Sequence, residues 1–447
     1  MRGRVIKRGA AGFADAARVY NQRYDGVLPQ AVARPLDARD VASAVRFLVD
    51  AGTRLRVRSG GHSFAGYSTL SDGVVLDLSQ LRHVDFDRRT RTATIGPGAQ
   101  LIDVYAALNA HGVTIPAGSC PSVGLGGHAL GGGMGLAGRA FGLTCDNVIS
   151  ARVVTADGSL RKVDRHSDPD LLWGLRGGGG GNFGVVTQMT VRVHPIPSAV
   201  SWFVVDWPWS SAGAALDAWL HWAPHVDPRL TSVFHLESAP RVRVAGQYMG
   251  PASDLGGLLA PLQAAPGAGI SSGAQDYFGL MVRWAGCLGQ PLQSCHTTGT
   301  RPGGTLSRAS FRAKSDYLEK PLRSAGRSVL INAIAARSGH PGSGAILFDS
   351  YGGAINHVDP NATAFVHRGD ICCIQYLSYN GGDSWLDQTH SAMRPYVSGG
   401  AYQNYIDPDL RDWRDAYYGR NYSRLVALQR RVDPHHYFDF PQAIGHP

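Results

Sequence analysis

A chain of 447 residues with 44% hydrophobic and 17% charged residues is too long for one small module and too apolar to stay disordered, which predicts two domains or one large domain holding a second. The formal charge of +9 comes almost wholly from Arg, with Lys only at 7, 162, 314 and 320. No dense basic block interleaved with aromatics occurs, which argues against a nucleic-acid partner and favours an anionic small ligand.

At the start, residues 1–7 are basic, but the alanine-rich stretch 9–17 is broken by Asp15 and is too weak for a secretory segment. No apolar run is long enough to span a bilayer, so the chain is expected to be cytoplasmic with no membrane partner. Residues 34–52 predict a helix capped by Asp40, with Val41, Val45 and Leu48 on one face and Gly52 as its stop. Leu55 and Val57 read as a strand running into Arg58-Ser59-Gly60-Gly61-His62-Ser63, and residues 73–78 read as the next strand. Leu101, Tyr105 and Leu108 predict a second helix, followed by the glycine-rich segment 116–142. Residues 151–163 read as a hairpin about Asp157-Gly158, both central positions favouring positive φ. Beyond the glycine run 177–184, alternation from Val185 to Val193 predicts a half-buried strand ended by Pro195 and Pro197. From about Ser198 Trp202, Trp207, Trp209, Trp219 and Trp222 crowd together and a different domain begins, with strands at 345–349 and 371–377. A helix near Asn421 closes the chain, carrying Leu425, Leu428 and Val432 and ending at Asp433-Pro434.

Two G-x-G-x-x-G matches, Gly133–Gly138 and Gly179–Gly184, fail as Rossmann fingerprints because neither joins the end of a strand to the start of a helix. No Walker A or H-E-x-x-H sequence occurs, and the six cysteines form neither a C-x-x-C pair nor a disulfide framework. No metal site is expected, and most cysteines are expected to be buried and reduced. Three separate glycine loops remain, 58–66, 118–142 and 177–184, and several bare amides brought near one ligand suit a diphosphate. His62 and Cys120 lie in two of these loops, and the loops alone do not join them.

These segments carry a resemblance. Arg58-Ser59-Gly60-Gly61-His62-Ser63, the run Gly118-Ser119-Cys120-Pro121-Ser122-Val123-Gly124-Leu125-Gly126-Gly127-His128, Gly131-Gly132-Gly133, and Trp173 through Thr187 resemble the berberine bridge enzyme-like flavoproteins of the vanillyl-alcohol oxidase superfamily, as does the C-terminal Tyr417–Gln442 stretch. The resemblance implies an α+β fold: an FAD-binding domain of two α/β subdomains, from residues 1–198 and the C-terminal segment 402–447, plus a substrate domain, 199–401, with an antiparallel sheet covered by helices. It implies FAD bound bicovalently through His62 and Cys120. The implied cofactor contacts are Arg58, Ser59, Gly60, Gly61 and Ser63; Gly118, Ser119, Val123, Gly126, Gly127 and His128; Gly131, Gly132 and Gly133; and Gly180, Asn182, Gly184, Val185, Val186 and Asn404.

On the substrate side, the resemblance places Tyr405 as catalytic base and Asp349 and Gln375 at the site. A phenol with an ordinary pKa of about 10 needs a cation or hydrogen-bond support to serve as base. Cys372-Cys373 stands where some relatives have a carboxylate, and His436 where they commonly have Asn. The implied reaction is hydride removal from an alcohol, hemiacetal or amine carbon of a small natural product or sugar-bearing substrate, with O2 reduced to H2O2. The aromatic cluster and the Arg excess fit a flat or glycosylated, anionic substrate. An oxidative cyclase and a flavin-binding protein without turnover are the alternatives.

Overall fold

A computed structural model describes residues 1–301 and 303–446. The chain is α+β, built on three main sheets. The first contains β1 (Arg4–Lys7), β2 (Ala31–Arg34), β3 (Arg54–Arg58) and β4 (Gly73–Asp77) in the order β1-β2-β4-β3. The pairs β2–β4 and β3–β4 are parallel, and β1 joins antiparallel. The helix Ala38–Asp50 carries the chain from β2 to β3, the two strands that flank β4 and run parallel to it, and buries Val41, Val45 and Leu48. Its cap is Asp37, whose carboxylate accepts from the Asp40 N–H, and not the expected Asp40. Asp40 lies in the first turn, buried, and accepts the N–H groups of Arg2, Gly3 and Leu36. Either acid precedes the apolar stripe by a plausible interval, and tertiary contacts decided between them.

The second sheet contains β5 (Val84–Asp87), β6 (Thr92–Ile95), β8 (Val148–Val154), β9 (Leu160–Asp164) and β10 (Val185–Arg192), ordered β5-β6-β10-β8-β9 and antiparallel throughout. The short strands β7 (Val113–Thr114) and β11 (His194–Pro195) pair beside it. The β8–β9 turn is not the expected type. Gly158 alone takes positive φ, 72°, because Asp157 turns its carboxylate onto Thr155 and the Ser159 N–H.

The third sheet contains β12 (Val200–Trp207), β13 (Leu230–Glu237), β14 (Arg241–Tyr248), β15 (Gly269–Gln275), β16 (Phe311–Leu318), β17 (Ser343–Ser350) and β18 (Cys372–Tyr379). Its order is β15-β12-β14-β13-β17-β18-β16, and every pair is antiparallel. Alternation divides the sheet into two faces. Phe234, Ile346, Phe348 and Ile374 pack into a core with Trp219 of the helix Ala212–Trp222 and Ile334 of the helix Ser324–Arg337. Trp207, Trp219 and Trp222 belong to that core and Trp209 packs against it, whereas Trp202 lies on the opposite side beneath Arg283, so four of the five clustered tryptophans build the helix-covered side of the sheet and not a substrate surface. On the opposite face, Val233, Asp349, Cys373 and Tyr317 stand in one row across four strands, and His235, Leu347, Gln375 and Ser315 in the next.

Cys287 and Cys295 form a single disulfide, a pair that their spacing did not predict; Cys120, Cys145, Cys372 and Cys373 are free. Eight residues of separation place this bridge within one loop, which no cysteine spacing rule identifies. No helix of the described residues is long and apolar enough to cross a membrane.

Candidate active site

The glycine loops and the open face of the third sheet enclose a cavity of about 530 Å³. The turn after β3 brings Ser59, Gly60, Gly61, His62 and Ser63 to its wall, and the loop before the helix Leu125–Leu130 brings Gly118, Ser119, Cys120 and Val123. These two loops touch backbone to backbone. A Cβ at Gly60 would lie 2.3 Å from the Gly124 nitrogen, so the approach requires glycine. Gly126, Gly127, His128, Gly180, Gly184, Val186 and Asn404 complete this side. A Cβ at Gly127 would meet nothing within 4 Å, and one at Gly180 only the Gly127 Cα, at 3.9 Å. Bare backbone therefore borders open volume. Among the described residues, the N–H groups of Gly60, Gly61, His62, Ser63, Gly180 and Gly181 donate to no protein acceptor. Free donors beside open space suit the oxygens of a diphosphate.

Six of the expected contacts lie off the cavity wall. Arg58 turns its guanidinium to Asp77 and to the carbonyls of Ala16, Ala17 and Arg18. Gly131, Gly132 and Gly133 lie one layer behind: a Cβ at Gly131 would strike Asn404 and Gln403, one at Gly132 Phe365, and one at Gly133 Thr144. Gly131 thus makes room for the C-terminal segment, Gly132 for Phe365 and Gly133 for Thr144. Asn182 bridges Gly178 O and the Ile444 N–H, and Val185 is buried in the core against the helix Ala38–Asp50. The motif matches include these residues because a loop needs scaffold as well as contact.

His62 is stacked on Tyr20, with ring centroids 4.1 Å apart, and its Nε2 lies 2.9 Å from Ser122 Oγ. Burial pushes its pKa down to about 3, so the ring is neutral. Burial pushes the Cys120 thiol up, opposed by the Ser122 N–H and hydroxyl and the Val123 N–H. His128 accepts the Gly118 N–H at Nε2, 3.1 Å, which requires a neutral ring, and burial holds its pKa at about 4.

Across the cavity stand Asp349, Gln375 and Tyr405. Burial pushes Asp349 up to about 7, against the smaller opposing pull of the Tyr405 hydroxyl, and Asp349 Oδ2 has no hydrogen-bond partner among the described residues. Burial, and then the Asp349 charge, hold Tyr405 well above the ordinary phenol range. No cation among the described residues supports it, so Tyr405 alone does not meet the requirement for a base. Cys373 sits beside Asp349 in the β17–β18 register, fully buried.

Several wall residues escaped the sequence reading. Tyr402 accepts the Gly133 and Met134 N–H groups and the Asn404 amide at its hydroxyl, locking the C-terminal segment onto the glycine loop. Phe64 stacks on Tyr405 at 5.3 Å, and Trp284, Phe311 and Tyr379 add aromatic surface. Phe440 reaches the wall from the tail. His436 adopts φ 54°, the left-handed region that Asn also tolerates, so His and Asn serve the same backbone turn there. No Lys or Arg among the described residues lines the cavity. The cavity wall therefore gives no support to the expectation of an anionic substrate; several Arg side chains face Asp carboxylates, as Arg312 does Asp387 and Asp409, or loop carbonyls, as Arg139 does Tyr351 O.

Residues 29–164 match the FAD binding domain family, and residues 401–445 the family described as berberine and berberine like. The chain is similar to the uncharacterized FAD-linked oxidoreductase YgaK of Bacillus subtilis (strain 168), 33% identical over 458 residues, covering 99% of this chain and 96% of that one. It is 31% identical to the monolignol oxidoreductase AtBBE-like 13 of Arabidopsis thaliana, over 93% of this chain and 84% of that one. Among solved structures, it resembles BBE-like 1 of Physcomitrella patens with a TM-score of 0.92 and 30% identity, covering 99% and 97% of the two chains. A chitooligosaccharide oxidase follows with a TM-score of 0.90 and 26% identity, covering 99% and 97%.

Proposed function

The chain belongs to the berberine bridge enzyme-like FAD-linked oxidoreductases, and we propose that it is an oxidase removing a hydride from an alcohol, hemiacetal or amine carbon of a neutral aromatic or sugar-bearing substrate, with O2 reduced to H2O2. One observation carries this reading. A single cavity has His62 and Cys120 on its glycine-loop wall and Asp349, Tyr405 and Gln375 on its sheet wall. In this reading residues 1–198 and 402–447 form the cofactor half and residues 199–401 the substrate half.

The donor set fits FAD. The free amides of Gly60 to Ser63 and of Gly180 and Gly181 suit its diphosphate, and His62 and Cys120 tether it through two bonds. When bound, FAD supplies the two-electron acceptor for the substrate and the donor for O2. The chain supplies proton handling and exclusion of water. Tyr405 takes the substrate hydroxyl proton while its own passes to Asp349, whose pKa of about 7 suits an acceptor near neutral pH. Gln375 orients the substrate from the neighbouring row of the sheet. Trp284, Tyr379 and Phe311 offer flat apolar faces, and the absence of Lys and Arg among the described wall residues favours an uncharged substrate. Monolignols and oligosaccharides, the substrates named for two of the relatives, share that character.

Screening such alcohols for O2 uptake tests the reading. It is supported by turnover yielding H2O2 and a product lighter by two hydrogens, and product NMR separates simple oxidation from ring closure. Val123, which lines the cavity three residues beyond Cys120, is proposed to leave the apolar space that O2 enters. Val123→Leu is expected to slow reoxidation of the reduced enzyme in stopped-flow measurements while sparing reduction by substrate. Equal reoxidation rates would remove that role from Val123.

A further inference from the structure

The buried hydroxyl of Ser122 is shared by two groups. His62 Nε2 lies 2.9 Å away, and Thr297 Oγ1 donates to it at 2.7 Å. Thr297 comes from the opposite half of the chain, in the segment just beyond the Cys287–Cys295 disulfide. That segment is fastened on both sides of Thr297: His296 Nε2 meets Asp103 at 2.9 Å, and Arg301 donates to Ser79 O and Gly98 O.

We propose that Ser122, oriented by Thr297, is a positioning residue that fixes the His62 imidazole with its proton on Nε2 and its lone pair on Nδ1. A serine hydroxyl has one proton and two lone pairs. The Thr297 proton fills one lone pair. The second lone pair accepts the His62 Nε2–H. Which imidazole nitrogen keeps the lone pair is set by the bond the other makes. The Tyr20 stack fixes the ring plane, and His62 Nδ1 makes no hydrogen bond among the described residues. One hydroxyl thus aligns the His62 ring, and the substrate half of the chain supplies the group that aligns that hydroxyl.

This inference rests on the two-tether reading, and the test separates them. The full chain, loaded with FAD, is prepared as the wild type and as C120A, C120A/S122A, C120A/S122T and C120A/T297V. The readouts are flavin content before acid precipitation and the fraction of flavin left on the precipitated protein, so that in the C120A series His62 alone is scored. The expected fraction is less than a tenth of the C120A value for C120A/S122A, intermediate for C120A/T297V and restored for C120A/S122T, with equal flavin content before acid. An unchanged fraction in C120A/S122A would overturn the proposal. Complete loss of flavin from acid-treated wild type would instead defeat the two-tether reading. The 15N shifts of His62 in wild type and S122A, each loaded with a flavin that lacks the 8-methyl group and so cannot bond to His62, then decide the positioning role. An Nε2–H ring in the wild type that becomes a tautomer mixture in S122A supports it, and identical spectra overturn it.

Discussion

Asp349→Asn is expected to lower the rate at which substrate reduces the enzyme anaerobically by about 10²- to 10⁴-fold, the usual worth of a positioned base. The argument is electrostatic. Asp349 stands on β17 facing the cavity, and burial raises its pKa to about 7, leaving one carboxylate oxygen without a partner. The Tyr405 phenol is held well above its ordinary range by the same burial and by the Asp349 charge. A phenol in that setting accepts a proton only as it surrenders its own, and Asp349 is the acceptor placed to receive it. The pH dependence follows in sign. A raised carboxyl pKa means the competent, ionised form accumulates as pH rises, so the wild-type reduction rate should climb through about pH 7. The Asn variant should lack that limb. Tyr405→Phe keeps the ring stacked on Phe64 and is expected to cost at least tenfold, about 1.4 kcal/mol in the barrier. A rate for Asp349→Asn within about threefold of wild type would exclude the pair as the proton path.

The second large effect concerns the tethers. His62→Ala and Cys120→Ala should each keep flavin on acid-precipitated protein, because the other residue still holds it. The double variant should release all of it into the supernatant. The reasoning is geometric: both residues lie on one cavity wall, in loops locked together at Gly60 and Gly124, so each would be held against a bound ring without the other. Loss of covalent flavin in either single variant would show that one bond depends on the other and would reduce the two tethers to a sequence of dependent steps.

How much of this was legible in the sequence depends on whether a feature is local. The glycine loops were, since a bare amide at a close approach can only be written as Gly, as at Gly60 against Gly124. The strands β10, β17 and β18 announce themselves by composition and alternation. Alternation does not say which face of a sheet meets helices, and so the tryptophans of the core passed for substrate surface. Gly131 to Gly133 matched the motif, yet what they accommodate, Asn404 and Phe365, lies far along the chain. Asp349 was placed by resemblance, but its raised pKa arises from burial that only the assembled sheet creates. The Thr297–Ser122 contact joins residues 175 positions apart and leaves no local signature.

The most direct measurement is mass spectrometry of the wild-type protein, denatured in acid and digested. The account predicts one flavin joined to both the His62 peptide and the Cys120 peptide, with no free FAD in the acid supernatant. Both peptides at their unmodified masses, with FAD recovered in solution, would contradict it.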